Sequence, residues 1–104
     1  MDQLKYSVIV PAYQAAEIIG DCVRALEAQT LPRECYEIIV VDDGSTDDTM
    51  AVAEVAGADQ VLSIEHGGPA AARNAGVEHA KGQVVFFTDA DCEPLPDWLE
   101  RLAA

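Results

Sequence analysis

A parallel α/β sheet with helices on both faces is the fold this sequence predicts, and three observations predict it. Short apolar runs alternate four times with segments of helical spacing, the pattern of strand–helix units joined by right-handed crossovers. The runs are of the kind a parallel sheet buries on both faces, Val84-Val85-Phe86-Phe87 most plainly. Three of them end in chemically loaded clusters: Pro11-Ala12-Tyr13, Asp42-Asp43-Gly44-Ser45 and Asp89-Ala90-Asp91. Such a fold opens all three onto one edge of the sheet, the edge where ligands sit.

The first strand spans residues 5–10 and is stopped by Pro11. Residues 15–29 then take helical spacing, with Ile18, Ile19, Cys22, Val23 and Leu26 on one face, and Thr30-Leu31-Pro32 breaks the helix. The second strand is 36–41. A helix over 46–56 follows, with Ser45 or Thr46 as cap, Asp47 and Asp48 complementing its positive end, and Gly57 at its stop. The third strand is 60–64. Gly67-Gly68-Pro69 opens a third helix that Gly82 ends; Ala70, Ala71, Ala72, Ala75 and Gly76 let its backbone approach a sheet. The fourth strand is 84–87. Beyond the acidic loop, Pro94-Leu95-Pro96-Asp97 starts a fourth helix with Trp98, Leu99 and Leu102 as its apolar stripe.

Composition narrows the function. The chain has 104 residues, half of them hydrophobic, enough for one domain with a modest core. No apolar run approaches the roughly 20 residues of a membrane span, and no basic-then-apolar leader marks it for secretion. Three cysteines without C-x-x-C spacing read as reduced thiols of a cytoplasmic protein, not as a disulfide framework or zinc site. The net charge of −13, with six scattered Lys and Arg, argues against nucleic acid. It also repels a phosphorylated small molecule unless a bound cation inverts the local field.

Asp89 and Asp91 meet that condition. They are hard oxygen ligands at a strand's carboxyl end, suited to Mn or Mg shared with phosphate oxygens. Spacing alone is weak support, because ten Asp in 104 residues supply about one Asp-x-Asp by chance. Position after an apolar strand adds weight. No G-x-G-x-x-G follows the first strand and no P-loop is present, which sets aside a nicotinamide dehydrogenase and a P-loop NTPase. Arg73, in the first turns of the third helix, is placed to meet an anion at that helix's positive end.

Four segments together resemble the nucleotide-binding half of family 2 glycosyltransferases, the GT-A fold. They are Ser7-Val-Ile-Val-Pro-Ala-Tyr13, Val40-Val-Asp-Asp-Gly-Ser-Thr-Asp47, Gly68-Pro-Ala-Ala-Ala-Arg-Asn-Ala-Gly76 and Phe87-Thr-Asp-Ala-Asp91. The resemblance runs in order over nearly the whole chain and implies strand order 3-2-1-4. It implies that residues 1–104 form the donor-binding part of an inverting glycosyltransferase, taking a UDP- or GDP-sugar with a divalent cation. By it, Pro11, Ala12 and Tyr13 line the nucleotide pocket, Asp43 accepts a hydrogen bond from the base, and Arg73 flanks the donor. Asp89 faces the ribose, Ala90 binds the nucleotide-sugar with it, and Asp91 holds the metal on the diphosphate, with Asp89 beside it. Gln14 replaces the family's usual asparagine, and Glu17 is carried as a further pocket residue.

Family members continue past the Asp-x-Asp helix into an acceptor surface and an acidic general base. No acid here matches that base, so the expectation is a fold truncated before its acceptor half and inactive alone. A longer parent would place it in the cytoplasm or at the cytoplasmic face of a membrane. Uncovered Trp98, Leu99 and Leu102 lead to an expected homo-oligomer. Three alternatives stay open: a receiver-like signalling domain, a sugar nucleotidyltransferase, and a non-catalytic nucleotide-binding or regulatory half-domain. The first lacks its acceptor Asp and late lysine, since Ile64 leads into Glu65-His66 and the lysines are Lys5 and Lys81. The second lacks a glycine-rich basic loop after the first strand. Plainer readings fit other residues: His66 as a solvated loop histidine, His79 as a helix-end complement, Cys92 as incidental, Asp42 as a strand's last residue.

Overall fold

The computed structural model describes residues 4–104. Four strands, β1 (Tyr6–Ala12), β2 (Tyr36–Asp42), β3 (Gln60–Ser63) and β4 (Val84–Phe87), form one sheet in the order β3-β2-β1-β4. Every pairing is parallel, as the alternation requires. Ala12 lies opposite Asp42 and Asp42 opposite Ser63, so three strands finish level; β4 finishes earlier, with Phe87 opposite Ile9. The expected topology holds, and the acidic strand ends share one edge.

Helices α1 (Ile19–Glu27), α2 (Thr49–Ala56), α3 (Pro69–His79) and α4 (Trp98–Ala103) cover the two faces. Side chains alternate along a strand, which splits the core in two. Val8, Val10, Ile38, Val40 and the Tyr36 ring point to the face holding Ile19, Cys22, Val23, Leu26, Ala53 and Leu99. Ile9, Ile39 and Val41 point to the other face, against Ala72 of α3. Helix α3 sits so close that a Cβ on Gly76 would lie 2.6 Å from Ile9 Cγ2, which is why the small-residue face is needed.

Several expected boundaries move, each for a physical reason. Pro11 does not stop β1: it pairs opposite Val41. Its missing N–H would face the β4 side, where the ladder ends with Thr88 N donating to Ile9 O, so the proline costs no bond. Helix α1 starts at Ile19, because a turn closed by Ile18 N and Ile19 N on Ala15 O precedes it and leaves Ile18 exposed. Helix α2 starts at Thr49, later than expected: Ser45 and Thr46 are engaged elsewhere, Asp48 at the cap position makes no side-chain bond, and Asp47 Oδ1 accepts from Thr49 N at 3.1 Å. Strand β4 is not buried on both faces: it is a sheet edge, with Val84 and Phe87 nearly half exposed.

The fourth helix also corrects an expectation. Leu99 is fully buried, whereas Leu102 is about half exposed at 48% and Trp98 is partly covered. Gln29 makes the difference. Its Oε1 accepts from Leu99 N at 2.8 Å, and its Nε2 donates to Leu95 O at 2.8 Å and Ala25 O at 3.1 Å. That amide fastens the start of α4 to the end of α1, with Thr30 N donating to Pro96 O beside it. At the sheet's other edge a buried carboxylate does similar work. Glu37 accepts from Ser7 Oγ and Lys81 N, both at 2.6 Å, and from Gln60 Nε2 at 2.9 Å, anchoring the segment between α3 and β4. Burial alone would push the Glu37 carboxyl up, but the bonds from Ser7, Lys81 and Gln60 hold it below the ordinary glutamate value.

Candidate functional site

The carboxyl edge of the sheet is organised by side chains that tie its loops together. Gln14, in a left-handed conformation (φ 50°), donates from its backbone N to Ser45 Oγ at 2.7 Å. Its side-chain amide accepts from Thr46 N at 2.6 Å and donates to Thr46 Oγ1 at 3.0 Å. Ala15 N donates to Thr49 Oγ1 at 2.9 Å, and Ala16 N to Asp47 Oδ2 at 3.2 Å. Thr49 Oγ1 in turn donates to Asp47 Oδ1, a bond that holds the Asp47 carboxyl below the ordinary aspartate value. The hydroxyls expected to cap α2 therefore clamp the loop after β1 to the loop after β2.

Asp43 makes the next connection. It is 4% exposed, its N donates to Ala12 O at 2.8 Å, and its carboxylate reaches across to the loop before α3. Oδ1 accepts from Gly67 N at 2.8 Å; Oδ2 accepts from Gly68 N at 3.0 Å and lies 3.0 Å from His66 Nδ1. Gly68 has φ 94°, so the turn presenting these two N–H groups suits glycine. The Asp43 carboxylate is thus first a support for this loop, with little of it facing solvent. Its neighbour Asp42 is buried too; Ser45 N donates to its Oδ2 at 3.3 Å, and its Oδ1 has no partner among the described residues.

A cleft of about 220 Å³ opens between these loops, lined by Pro11, Ala12, Tyr13, Asp43, His66, Pro69 and Asp89. Five of the sequence-predicted site residues meet there. Glu17, Arg73, Ala90 and Asp91 are not part of its lining, and Glu17 is exposed in the turn before α1. Arg73 lies in the second turn of α3, half-buried and without an ion-pair partner among the described residues. His66 and Pro69 are additions. His66 is no idle loop residue: its ring packs on Tyr13 with centroids 4.4 Å apart and planes at 31°. Topology was the signal available for it, because the loop between the third strand and third helix opens on the same edge as the others.

Beside the cleft, the chain turns sharply after β4, with Cys92 N donating to Asp89 O at 3.0 Å. The turn brings ligand atoms of Asp89, Asp91 and Cys92 within 4.8 Å of one another, all exposed. Two hard carboxylates so placed fit a divalent cation of the Mn or Mg type, with open positions left for a ligand's oxygens. Cys92 Sγ donates weakly to Asp91 Oδ1 at 3.8 Å, in keeping with a bystander thiol. Below the turn, Cys22 donates from Sγ to Asp89 O at 3.5 Å. Burial, with Cys92, Asp91, Asp89 and Glu93 nearby, pushes the Cys22 thiol up to about 12. All three cysteines are free, and among the described residues no helix is long and apolar enough to cross a membrane.

Comparison with known proteins agrees with this arrangement. Glycosyltransferase AglE of Haloferax volcanii is 44% identical over 100 residues, covering 91% of this chain and 33% of that protein. Staphylococcus aureus TarS 1-349, solved in complex with UDP-GlcNAc, superposes with a TM-score of 0.88 at 34% identity, over 96% of this chain and 30% of that one. The mannosyltransferase PcManGT of Pyrobaculum calidifontis, solved with GDP-Man and Mn2+, gives 0.78 at 33% identity, over 86% of this chain and 28% of that one. The chain thus spans about a third of the length of such relatives. The model of the family described as Glycosyl transferase family 2 matches residues 7–104. A match over nearly the whole chain, with the expected sheet order and loop clusters, makes this protein a member of glycosyl transferase family 2.

Proposed function

We propose that these residues bind the nucleoside diphosphate of a sugar donor, as the donor-binding part of an inverting glycosyltransferase, with a divalent cation held at Asp91 and Asp89. One observation carries the reading. One lining holds both the packed rings of Tyr13 and His66, with Asp43, and Asp89 of the paired-carboxylate turn. A flat heterocycle suits the rings and a cation-bound diphosphate the carboxylates. Bound there, the cation supplies the positive charge that lets a chain of net charge −13 accept a diphosphate. Arg73 is the protein's own cation closest in chain order to the donor loops and flanks the donor from α3. Pro11 and Ala12 form one wall, and Glu17 stays at the margin. Two solved neighbours at 33–34% identity contain UDP-GlcNAc, and GDP-Man with Mn2+, which supports this class of ligand. Transfer itself, the acceptor and its activating base belong to the reading as a whole, in a cytoplasmic setting.

Calorimetry tests it. UDP or GDP should bind in the presence of MnCl2 and fail to bind in EDTA. Asp91→Asn keeps the shape of the side chain but loses its charge, and should remove most of the metal-dependent affinity. Equal affinity in EDTA would end the metal-bridge reading.

A further inference from the structure

The cleft is lined by two side chains that can accept hydrogen bonds, Asp43 and His66, and the way His66 is held makes it one of them. His66 Nδ1 lies 3.1 Å from Asp43 O as well as 3.0 Å from Asp43 Oδ2. A peptide carbonyl only accepts, so Nδ1 carries the hydrogen. In the neutral ring Nε2 is then a bare acceptor, and it has no hydrogen-bond partner among the described residues. The Tyr13 ring fixes the plane of the imidazole, and the His66 side chain is 60% exposed, so this edge is open to a ligand.

Of the backbone around it, Pro11 and Pro69 have no N–H, and the N–H groups of Gly67 and Gly68 are spent on Asp43. Asp43 Oδ1 takes one N–H where Oδ2 takes two, so its spare capacity is again an acceptor. The ionisable groups that line the cleft with His66 are Asp43, Tyr13 and Asp89, and Glu65 precedes it in the chain.

We infer that this cleft selects a base with a donor-rich edge, guanine in preference to uracil, with Asp43 Oδ1 taking the ring N–H and His66 Nε2 the exocyclic amine. Uracil offers a single N–H flanked by two carbonyls, and one of those carbonyls would face the Nε2 lone pair. The inference rests on the cleft being the nucleotide site, and it adds that His66 sets which nucleotide enters.

Titration calorimetry of the full chain with MnCl2 compares GDP, UDP and inosine diphosphate. GDP should bind about tenfold more tightly than UDP, the difference of roughly one made and one opposed hydrogen bond. Inosine diphosphate lacks only the 2-amino group and should bind about fivefold more weakly than GDP. In His66→Phe, which keeps a ring against Tyr13, the gap between GDP and inosine diphosphate should close. UDP binding as tightly as GDP overturns the inference, and so does a gap that survives His66→Phe. The three wild-type affinities decide it even if the variant does not fold. Binding of no nucleotide with Mn2+ present would overturn the donor-site reading itself, and the base preference with it.

Discussion

Replacing Asp43 by asparagine separates two roles that a carboxylate at a strand end can play. If Asp43 only accepts a hydrogen bond from a ligand, Asp43→Asn weakens binding and leaves the unliganded protein as stable as before. The structure gives it three internal donors: Gly67 N at 2.8 Å, Gly68 N at 3.0 Å and His66 Nδ1 at 3.0 Å. Asparagine has one acceptor oxygen, which best serves Gly68 and His66 from the Oδ2 position. Its NH2 then points at the Gly67 N–H, leaving a donor without a partner at a site only 4% exposed. One orphaned donor costs about 1–3 kcal/mol, and two charge-assisted bonds become neutral ones, so the total loss is roughly 2–4 kcal/mol. For a domain of this size that lowers Tm by about 10–20 °C. Differential scanning calorimetry in EDTA, without nucleotide, measures it. An unliganded Tm within about 2 °C of wild type would refute the supporting role and return Asp43 to ligand contact alone.

Two further outcomes follow from buried groups away from the cleft. The Glu37 carboxyl is held below its ordinary value, so its contribution is present above the unfolded glutamate range and is lost as pH falls through the folded value. Glu37→Gln should therefore cost about 1–3 kcal/mol at neutral pH, and urea midpoints of variant and wild type should converge on acidification. Cys22 is buried, with its thiol pushed up to about 12, so a thiol reagent should label Cys92 in the native protein and reach Cys22 only in denaturant, as read by peptide mass spectrometry.

The sheet was legible because its signals are local. Four apolar runs separated by helical spacing leave a parallel α/β order as the natural solution, and small residues such as Gly76 mark where α3 must approach Ile9. Misplaced boundaries lie where a polar side chain has a choice of partner. Ser45 and Thr46 are good local caps, yet Gln14 competes for them from more than 30 residues away and wins, so α2 begins at Thr49 with the Asp47 carboxylate on its first N–H. Gln29 is the same case, since nothing in its own neighbourhood announces that it will bury Leu99 of α4. Strand β4 shows a different limit: four large apolar residues signal a strand but not its place in the sheet, and this edge strand leaves Val84 and Phe87 nearly half exposed.

For the candidate site, residue type and strand-end position anticipated that Pro11, Ala12, Tyr13, Asp43 and Asp89 would meet in one cleft, because any parallel sheet delivers its strand ends to one edge. What they do there was less legible, and the reason lies in how acceptors are counted. A lone aspartate at a strand end reads as a group facing a ligand. Once Gly67, Gly68 and His66 are known to share its oxygens, most of its capacity is already used inside the protein. That use is not neutral towards function, since it fixes the hydrogen of His66 on Nδ1 and leaves Nε2 of this cleft-lining ring as an acceptor. A residue that looked like a solvated histidine thereby becomes the one whose identity should alter base preference, with Asp43 acting on the ligand partly through it. Any substitution at position 43 is therefore expected to shift selectivity and stability together, whereas His66→Phe leaves Asp43 its bonds from Gly67 and Gly68 and should shift selectivity with a smaller loss of stability.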